Sequence, residues 1–482
     1  MNQLANFIDG VSVAPTDGQY LDVTNPATGD VMAQVPASTA EDVDRAVLSA
    51  AAAFPSWRAT PVTERVQFLF HFKTLLEDSL DDLARTISGE CGKTYAESSG
   101  ELRRGIENVE VACGMPSLMQ GYNNEDVARG IDEHLFRQPL GVVAAITPFN
   151  FPGMIPLWFL PYAIAAGNCF ILKPSEKTPA TGQRLVELLQ QTDLPRGVVQ
   201  LVHGELAAGE ALIRHRQVRA ISFVGSTAVA KSVYREAAAN NKRVQCQGGA
   251  KNPLIVLPDA DLESTTAIAA ESAFGCAGQR CLAASLAITV GAATRSFTES
   301  ICEAARTRRV GYGLDEGVEM GPVVSRQSRE RITELIGSSQ SAGARLAVDG
   351  RDKPVANYER GFFVSPTVFD NVDPTSELAR TELFGPVLGL IAVSDLEEAI
   401  DFVNSGDYGN MACLFTRSGA AARKFRYAAH CGNLGINVGV AAPMAFFPFS
   451  GARHSFFGDL HAQGRHAVEF YTETKVVVER WP

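Results

Sequence analysis

Two cysteines lie close together in the segment FGCAGQRCLA, which is rich in small residues. After Cys276, the residues Gln279 and Arg280 lead directly into Cys281. A cysteine acts as a nucleophile only as its thiolate, and an adjacent cation favours that form. Most cysteines, however, are small buried residues without a chemical task. The segment by itself leaves both a catalytic thiol and a structural one open.

Two further segments place polar side chains directly after apolar, strand-like runs. In FVGST, a glycine turn leads into a helix with Ser226 or Thr227 as its N-cap, and a helix N-terminus can bind a phosphate. In LKPSE, the side chains of Lys173 and Glu176 could hydrogen-bond ribose hydroxyls at the carboxyl end of a strand. The fingerprint GxGxxG is absent, because Ala230 stands where a second glycine is expected. Each segment taken alone is equally compatible with an ordinary loop.

The segment TPFNFP also follows a strand-like run and places Asn150 among aromatic residues and prolines. An amide in such surroundings needs a hydrogen-bond partner or a ligand. One use of its NH₂ group is to stabilise a developing oxyanion. The commoner use of an Asn side chain is a local turn.

The elements that must position these residues follow two patterns. From about Ala40 to Gln120 apolar residues recur at helical spacing, and Thr39 with Asp42 resembles a capping box. Beyond residue 140, short apolar runs alternate with amphipathic stretches, which predicts a parallel sheet in an α/β fold. The first series of runs comprises Gly141–Ile146, Asn168–Leu172, Val198–Val202, Ala220–Val224 and Asn252–Leu257. A second series begins near Ala284 and continues through PVLGLIAV and NLGINVG, so we expect two α/β lobes.

Two segments fit neither lobe. Asp132–Pro139 is extended, and the C-terminal AVEFYTETKVVVERW alternates polar and β-branched residues as a strand does. A strand at the end of a chain leaves an unpaired edge. It either pairs within its own subunit or forms an arm exchanged with a neighbouring copy.

The composition disfavours several classes of function. With 43 Lys and Arg against 54 Asp and Glu, the formal net charge of −11 argues against nucleic acid or an anionic membrane as the main partner. The sequence has neither an apolar run of membrane-spanning length nor the pattern of a signal or transit peptide. Nine cysteines without CxxC pairs fit reduced thiols, and the eight histidines are too dispersed for a metal cluster. We therefore expect a soluble, cytoplasmic, multi-domain protein without a metal site.

Taken together and in this order, the segments TPFNFP, LKPSE, FVGST, GQRC and ELFGPV resemble the aldehyde dehydrogenase superfamily. The matches extend along nearly the whole chain. The resemblance implies that Cys281 is the nucleophile and that Asn150 is the amide of the oxyanion hole. It also implies an enzyme that uses a nicotinamide cofactor.

The resemblance further assigns the residues that hold this cofactor. Lys173 and Glu176 would hold the adenosine ribose, and Ser226 would lie at the pyrophosphate. Glu382 and Phe384 would position the nicotinamide ribose and ring. A glutamate at this ribose favours NAD, because a 2′-phosphate of NADP would meet a like charge. The complete set of cofactor residues implied in this way is Thr147, Phe149, Lys173, Glu176, Lys177, Gly225, Ser226, Glu382 and Phe384.

The family fold implies an α/β architecture with a Rossmann-like NAD domain, an α/β catalytic domain and a β-strand oligomerisation arm. Residues 1–121 and 142–246 would form the NAD-binding domain, and residues 247–462 the catalytic domain. Residues 122–141 and 463–482 would form the arm. The two segments that fit neither lobe belong to this arm, so the resemblance favours the exchanged strand and a homodimer or homotetramer.

One departure from the family pattern bears on the second half of the reaction. Hydrolytic members carry a Glu-Leu-Gly-Gly-Lys segment whose glutamate activates water, whereas this chain has Gln-Gly-Gly-Ala-Lys from Gln247 to Lys251. An amide cannot act as a general base at neutral pH, and loss of base catalysis costs on the order of 10²–10⁴ in rate. A thiol already presents some thiolate at pH 7 and needs less help. Gln247 therefore favours transfer of the acyl group to a thiol such as coenzyme A (CoA).

Several segments resemble the CoA-acylating methylmalonate-semialdehyde dehydrogenases within the superfamily, namely GAKN, IPLW, RRGIENVE and the tail FSG…SFFGDLHA…FYTETK. This resemblance implies that Arg104 and Arg280 bind the carboxylate of an acidic semialdehyde, which suits the bidentate geometry of arginine. The alternative for Arg104 is a helix-surface ion pair with Glu101 or Glu107. The stretch NVGVAAPMAFFPF departs from this subfamily near the expected substrate channel.

The sequence thus predicts an NAD-dependent enzyme that oxidises malonate or methylmalonate semialdehyde through a thioester on Cys281. Transfer to CoA with decarboxylation would give acetyl-CoA or propionyl-CoA. The first alternative is a hydrolytic aldehyde dehydrogenase, although Ala462 and Gln463 occupy the stretch where the family has an occasional second glutamate. The second alternative is a non-enzymatic scaffold, which the presence of Cys281, Asn150 and Glu382 disfavours.

Overall fold

The computed structural model describes residues 2–481. Its strands are, in chain order, β1 (Asn2–Gln3), β2 (Asn6–Ile8), β3 (Val11–Val13), β4 (Tyr20–Thr24), β5 (Val31–Pro36), β6 (Asn123–Ala128), β7 (Ile131–Pro139), β8 (Val142–Ile146), β9 (Cys169–Lys173), β10 (Val199–Leu201), β11 (Val218–Val224), β12 (Arg243–Gln247), β13 (Asn252–Val256), β14 (Ala284–Val290), β15 (Arg345–Val348), β16 (Thr367–Asp370), β17 (Val387–Val393), β18 (Met411–Phe415), β19 (Asn433–Ile436), β20 (Phe456–Phe457) and β21 (Thr472–Glu479).

The helices are more numerous in the first quarter of the chain, as the helical spacing there predicts. In chain order they are α1 (Ala40–Ala59), α2 (Val62–Asp78), α3 (Leu80–Cys91), α4 (Tyr95–Cys113), α5 (Met115–Leu118), α6 (Met154–Ala165), α7 (Pro179–Gln190), α8 (Leu206–Arg214), α9 (Thr227–Ala239), α10 (Leu262–Phe274), α11 (Ala293–Thr307), α12 (Arg326–Ser341), α13 (Glu377–Arg380), α14 (Leu396–Ser405), α15 (Gly419–Ala428) and α16 (Gly464–Phe470). The predicted capping box at the start of α1 is confirmed, since Thr39 and Asp42 each accept the other's backbone N–H group.

Two large sheets form the two predicted α/β lobes. The first has eight strands in the order β20-β12-β11-β8-β9-β10-β2-β3, and the second has seven in the order β15-β16-β17-β14-β13-β18-β19. The five runs of the first predicted series are β8, β9, β10, β11 and β13, and the three of the second are β14, β17 and β19. The central strands β9, β13 and β18 are buried throughout, because helices cover both faces of a parallel sheet. The α/β fold class is therefore confirmed.

A separate three-stranded sheet in the order β21-β7-β6 contains both segments that fit neither lobe. Strand β21 pairs antiparallel with β7 of the same chain, from Thr472 opposite Pro139 to Glu479 opposite Asp132. Of the two alternatives given above for the C-terminal strand, the structure shows pairing within its own chain. Helix α16, just before β21, packs against α6 and α5. The division into domains and the role of this sheet in assembly stay predictions.

Within residues 2–481, no helix combines the length and the apolar character that crossing a membrane requires. The same part of the chain brings no three His, Cys, Asp or Glu side chains together as a set that could hold a metal ion.

Candidate active site

A cavity of about 200 Å³ is lined by residues of α4 and α6, by the segment around Cys281 and by residues between Val440 and Gln463. Three of the predicted site residues line it together: Cys281, Arg104 and Arg280. The rest of its wall is mostly apolar and includes Phe151 and Trp158. The predicted nucleophile and the two predicted carboxylate-binding arginines therefore line one cavity, although Arg104 and Cys281 are far apart in the sequence.

The backbone of Cys281 is held by two asparagine side chains. The Nδ2 atoms of Asn252 and Asn410 donate to the Cys281 carbonyl oxygen at 2.9 and 2.8 Å. Asn252 begins β13, and Asn410 directly precedes β18, the neighbour of β13 in the second sheet. The rigid ends of two adjacent strands thus fix the position of the predicted nucleophile.

Asn150, the predicted oxyanion-hole amide, contacts the turn that carries Cys281. Its Nδ2 donates to the Gln279 carbonyl oxygen at 3.0 Å, and the residue is buried. An amide nitrogen carries two N–H groups, so this hydrogen bond leaves one of them available. The structure therefore places an amide donor next to the turn that carries Cys281, and its role in an oxyanion hole stays a prediction.

Burial is the main reason that the pKa of the Cys281 thiol is raised to about 12, and the charge of Glu382 adds to the effect. The backbone N–H groups of Cys281 and Leu282, together with the charge of Lys93, oppose the rise. At neutral pH the thiol is consequently protonated in this form of the protein. A proton has to leave the sulfur before it can attack a carbonyl carbon.

Glu382 accepts a hydrogen bond from the Ala250 N–H group at 2.8 Å. Burial raises the pKa of its carboxyl group, while this hydrogen bond and the charges of Lys251 and Arg331 oppose the rise. The carboxylate lies so close to Gly249 that a Cβ atom there would come within 2.3 Å of it. A side chain at position 249 would therefore displace the Glu382 carboxylate from its present place.

The aromatic residues predicted at the cofactor site contact each other. The rings of Phe149 and Phe384 meet edge to face, with centroids 5.9 Å apart and an interplanar angle of 88°. Phe384 adopts a φ of 52°, which is uncommon for a bulky residue and is found mostly at functional positions. The ammonium group of Lys177 lies 5.4 Å from the centroid of the Phe149 ring.

The remaining predicted cofactor residues lie at the carboxyl ends of neighbouring strands of the first sheet. Lys173 ends β9, with its Nζ atom 3.8 Å from a carboxylate oxygen of Glu176. Thr147 follows β8, and its buried Oγ1 atom has no hydrogen-bond partner within residues 2–481.

Ser226 is the exposed N-cap residue of α9, and its side chain makes no capping bond. At Gly225, a Cβ atom would lie 2.5 Å from the Phe223 ring. The unpaired polar atom of Thr147 and the helix N-terminus without a side-chain cap both fit a dinucleotide.

Gln247 ends β12, where it pairs with Val224 of β11 and Phe456 of β20. Its side chain is buried, and neither amide atom has a partner in the part of the chain that the structure describes. The same holds for the Nζ atom of Lys251, whose pKa burial lowers to about 7. A neutral amide does not take up a proton near pH 7, so the Gln247 side chain supplies no general base at this position.

The two arginines differ in their partners. Arg104 pairs with Glu107 at 2.9 Å and also donates to the Pro443 carbonyl oxygen. Arg280 pairs with Glu97 at 3.2 Å and with Glu271 at 2.9 Å. The helix-surface pair considered for Arg104 thus exists with Glu107, and the same side chain also lines the cavity. For Arg104, an ion pair along the helix and a place in the cavity wall are therefore compatible.

Comparison with known proteins decides the family. A family model described as "Aldehyde dehydrogenase family" matches residues 13–477 of this chain. This chain belongs to the aldehyde dehydrogenase family. The fold agrees, since solved structures of this family superpose on the whole enzyme.

Among the relatives of this aldehyde dehydrogenase, a malonate-semialdehyde dehydrogenase of Geobacillus thermodenitrificans (strain NG80-2) is 48% identical over 477 residues, which is 99% of each chain. A Sinorhizobium meliloti 1021 protein assigned as a methylmalonate-semialdehyde dehydrogenase was solved in complex with NAD. It is 42% identical, with a TM-score of 0.99 over 100% of this chain and 98% of its own. A methylmalonate-semialdehyde dehydrogenase from Oceanimonas doudoroffii is 44% identical, with a TM-score of 0.98 over 100% and 99% of the two chains. The resemblance predicted from the sequence is confirmed.

Helix α4 of this aldehyde dehydrogenase organises the cavity, and the sequence reasoning missed most of its role. Glu97, Glu101, Arg104 and Asn108 all line the cavity from this one helix. Their spacing of three and four residues places them on one face. Polar residues at helical spacing beside a predicted site residue are the signal that could have revealed this face.

Within that face, Glu101 connects α4 to the segment after Asn150. Its Oε1 atom accepts from the N–H groups of Gly153 and Met154 at 2.7 and 3.0 Å. Its Oε2 atom accepts from Lys93 Nζ at 2.5 Å, and both side chains are buried. The buried carboxylate is therefore fully hydrogen-bonded, as a buried charge must be.

Proposed function

We propose that this aldehyde dehydrogenase oxidises malonate or methylmalonate semialdehyde with NAD and transfers the acyl group to CoA with loss of CO₂. The observation that carries the proposal is the single cavity shared by Cys281, Arg104 and Arg280. A semialdehyde with a carboxylate at its far end offers a carbon for the sulfur and an anion for a guanidinium. The names of the relatives given above agree with this substrate class.

The cofactor residues would divide the work as the family resemblance implies. Lys173 and Glu176 hold the adenosine ribose, Ser226 lies at the pyrophosphate, and Glu382 with Phe384 holds the nicotinamide riboside. Thr147, Phe149, Lys177 and Gly225 complete the site. When bound, NAD supplies the acceptor for the hydride that leaves the aldehyde carbon.

Cys281 begins the reaction when its thiolate sulfur bonds to the aldehyde carbon. The oxyanion that forms accepts hydrogen bonds from the free N–H of Asn150 and from the Cys281 backbone N–H. After loss of hydride the acyl group is a thioester on Cys281. The carboxylate of this thioester then departs as CO₂, and a proton takes its place on the α-carbon. The CoA sulfur finally bonds to the acyl carbon as the Cys281 sulfur leaves, which gives acetyl-CoA or propionyl-CoA.

The carboxylate of the substrate has to compete with carboxylates of the protein. Arg104 is engaged by Glu107, and Arg280 by Glu97 and Glu271. A guanidinium group has five N–H donors, so each arginine keeps donors for a further anion. The side chain of Arg104 is 30% exposed and that of Arg280 is 15% exposed. We therefore propose that Arg104 provides the larger share of carboxylate binding.

The amide side chain of Gln247, at the position where hydrolytic family members carry a glutamate, supports CoA rather than water as the acyl acceptor. A neutral amide does not accept a proton from water near pH 7, so Gln247 cannot act as the general base that hydrolysis needs. Hydrolysis to a free acid is the alternative outcome of the test below.

We also propose that the sheet β21-β7-β6 mediates assembly into a dimer or tetramer in the cytoplasm. Strand β21 is the outermost strand of this sheet, and its side chains Val476 and Val478 are exposed. An exposed edge of this kind favours pairing with another chain.

The test measures NADH formation with NAD and malonate semialdehyde, with and without CoA, and identifies the product by mass spectrometry. We expect steady turnover only with CoA and acetyl-CoA as the product. Equal turnover without CoA, with a free acid as product, would contradict the proposed acceptor. Turnover with neutral aldehydes alone would contradict the proposed substrate class.

Arg104→Gln should weaken selection for an acidic substrate. A hydrogen bond between a charged group and an anion contributes about 1.5–3 kcal/mol, so KM for malonate semialdehyde should rise by about tenfold to hundredfold. The value of kcat/KM for propanal, which has no carboxylate, should stay within about threefold. The matched control is Arg103→Gln, because Arg103 is the adjacent, exposed arginine of the same helix. Equal losses with both aldehydes would mean that Arg104 supports the fold instead.

A further inference from the structure

The turn before Cys281 has an unusual backbone. Three consecutive residues lie in the left-handed region, with φ of 51° at Cys276, 52° at Ala277 and 69° at Gly278. Only glycine adopts this conformation without steric cost. A left-handed turn that contains Cys and Ala persists only where its surroundings hold it, and such turns concentrate at active sites. The contacts of this turn therefore show what positions the nucleophile.

The turn is packed tightly on both sides. At Gly278 a Cβ atom would lie 2.1 Å from the Gly385 carbonyl oxygen, so this end of the turn lies against the loop that carries Phe384. At Gly275 a Cβ atom would lie 2.2 Å from Nη2 of Arg280. The Arg280 side chain thus folds back across the start of the turn from which it emerges.

One carboxylate oxygen connects the two ends of the turn. Oε1 of Glu97 accepts from the Cys276 N–H group at 2.5 Å and from Arg280 Nη2 at 3.2 Å. Its other oxygen accepts from the Thr94 N–H group at 2.9 Å, within the capping box of α4. The side chain is only 11% exposed. Glu97 therefore ties the strained turn to the first turn of a long helix.

We propose that Glu97 is a positioning residue that keeps the turn Cys276–Gly278 left-handed and so holds Cys281 in its reactive place. The inference rests on the proposed role of Cys281 as the nucleophile. Glu271 cannot replace Glu97, because it contacts Arg280 but is 54% exposed and makes no hydrogen bond to Cys276 in the described chain. The Arg280 contact of Glu97 ties down the residue directly before the nucleophile.

The first measurement compares kcat of Glu97→Ala with that of Glu97→Ala/Ala277→Gly, using NAD and malonate semialdehyde. Without the carboxylate the turn relaxes and Cys281 shifts, and misplacement of a reacting group by about 1 Å can cost about 100-fold in rate. Glycine at position 277 removes the steric cost of the left-handed turn, so the double variant should recover at least about fivefold in kcat. A residue that only stabilises the helix gives no such rescue.

The second measurement follows alkylation of Cys281 by iodoacetamide at pH 8 through peptide mass mapping, and it needs no substrate. We expect faster alkylation of Cys281 in Glu97→Ala, because a relaxed turn exposes the sulfur, and a return towards the wild-type rate in the double variant. This readout stays valid even if the proposed substrate is wrong, so the two proposals fail separately.

The matched control is Thr94→Ala, which weakens the cap of the same helix and leaves the Glu97 carboxylate in place. We expect kcat and the alkylation rate of this variant to stay within about twofold of the wild-type values. Equal effects of Thr94→Ala and Glu97→Ala, or no recovery in the double variant, would overturn the proposal. Wild-type kcat and alkylation in Glu97→Ala would overturn it as well.

Discussion

Replacement of Cys281 by alanine should abolish NADH formation with every aldehyde. The variant keeps the cavity, both arginines and the cofactor residues, but it has no sulfur to form the thioester. Removal of a covalent nucleophile typically costs more than about 10⁴-fold in kcat. The measurement is NADH absorbance with malonate semialdehyde and with propanal, at enzyme concentrations high enough to detect that residual rate.

A suitable control for this experiment is Cys431→Ala. Cys431 is a partly exposed free thiol like Cys281, but it lies beside Arg453 and does not line the cavity. Its loss should leave kcat within about twofold, as surface changes away from a site usually do. Turnover retained in Cys281→Ala would remove the nucleophile assignment and, with it, the thioester route.

Replacement of Gln247 by glutamate should create turnover that does not need CoA. The new carboxylate would occupy a buried position, and burial raises the pKa of a carboxyl group towards neutrality. A base with such a pKa is well matched to deprotonating water at pH 7, and general base catalysis contributes about 10²–10⁴ in rate. We expect the rate of NADH formation without CoA to rise by about 100-fold, with a free acid as the product in mass spectrometry.

Gln247→Met separates the carboxylate from the loss of the amide. Methionine has a similar size but cannot accept a proton, so this variant should stay dependent on CoA. If Gln247→Glu slows CoA-independent turnover, or if Gln247→Met speeds it as much, then a different group activates water and the account of the missing base is wrong.

Elements built from local patterns could be predicted from the sequence. The buried strands β8, β9 and β13 appear as short apolar runs between amphipathic stretches, because the side-chain pattern of a buried strand is set by the strand itself. The short strands of the first 36 residues were not predicted. Strand β20 was also missed, because two residues carry no period and gain their place only by pairing with β12.

The contacts that hold the site together were beyond the sequence for a different reason. Glu97 and Cys276 are separated by 179 residues, and Asn410 and Cys281 by 129. No local pattern encodes a hydrogen bond across such a distance, and an acidic residue in the first turn of a helix already has a sufficient explanation as a cap. The family resemblance identified Cys281, whereas the residues that hold it in place are visible only in the three-dimensional structure.

The pairing of β20 with β12 has a consequence for motion. The chain leaves the first large sheet at Gln247 and enters the second at Asn252, yet Phe456 and Phe457 return to pair with β12. The N–H group of Gly248 also donates to the Ser455 carbonyl oxygen at 2.8 Å. A hinge between the lobes would have to break this ladder, so we expect the lobes to move as one rigid body. Substrates would then reach the sulfur through local displacement of loops, and little free energy of binding would be diverted to closing the enzyme around them.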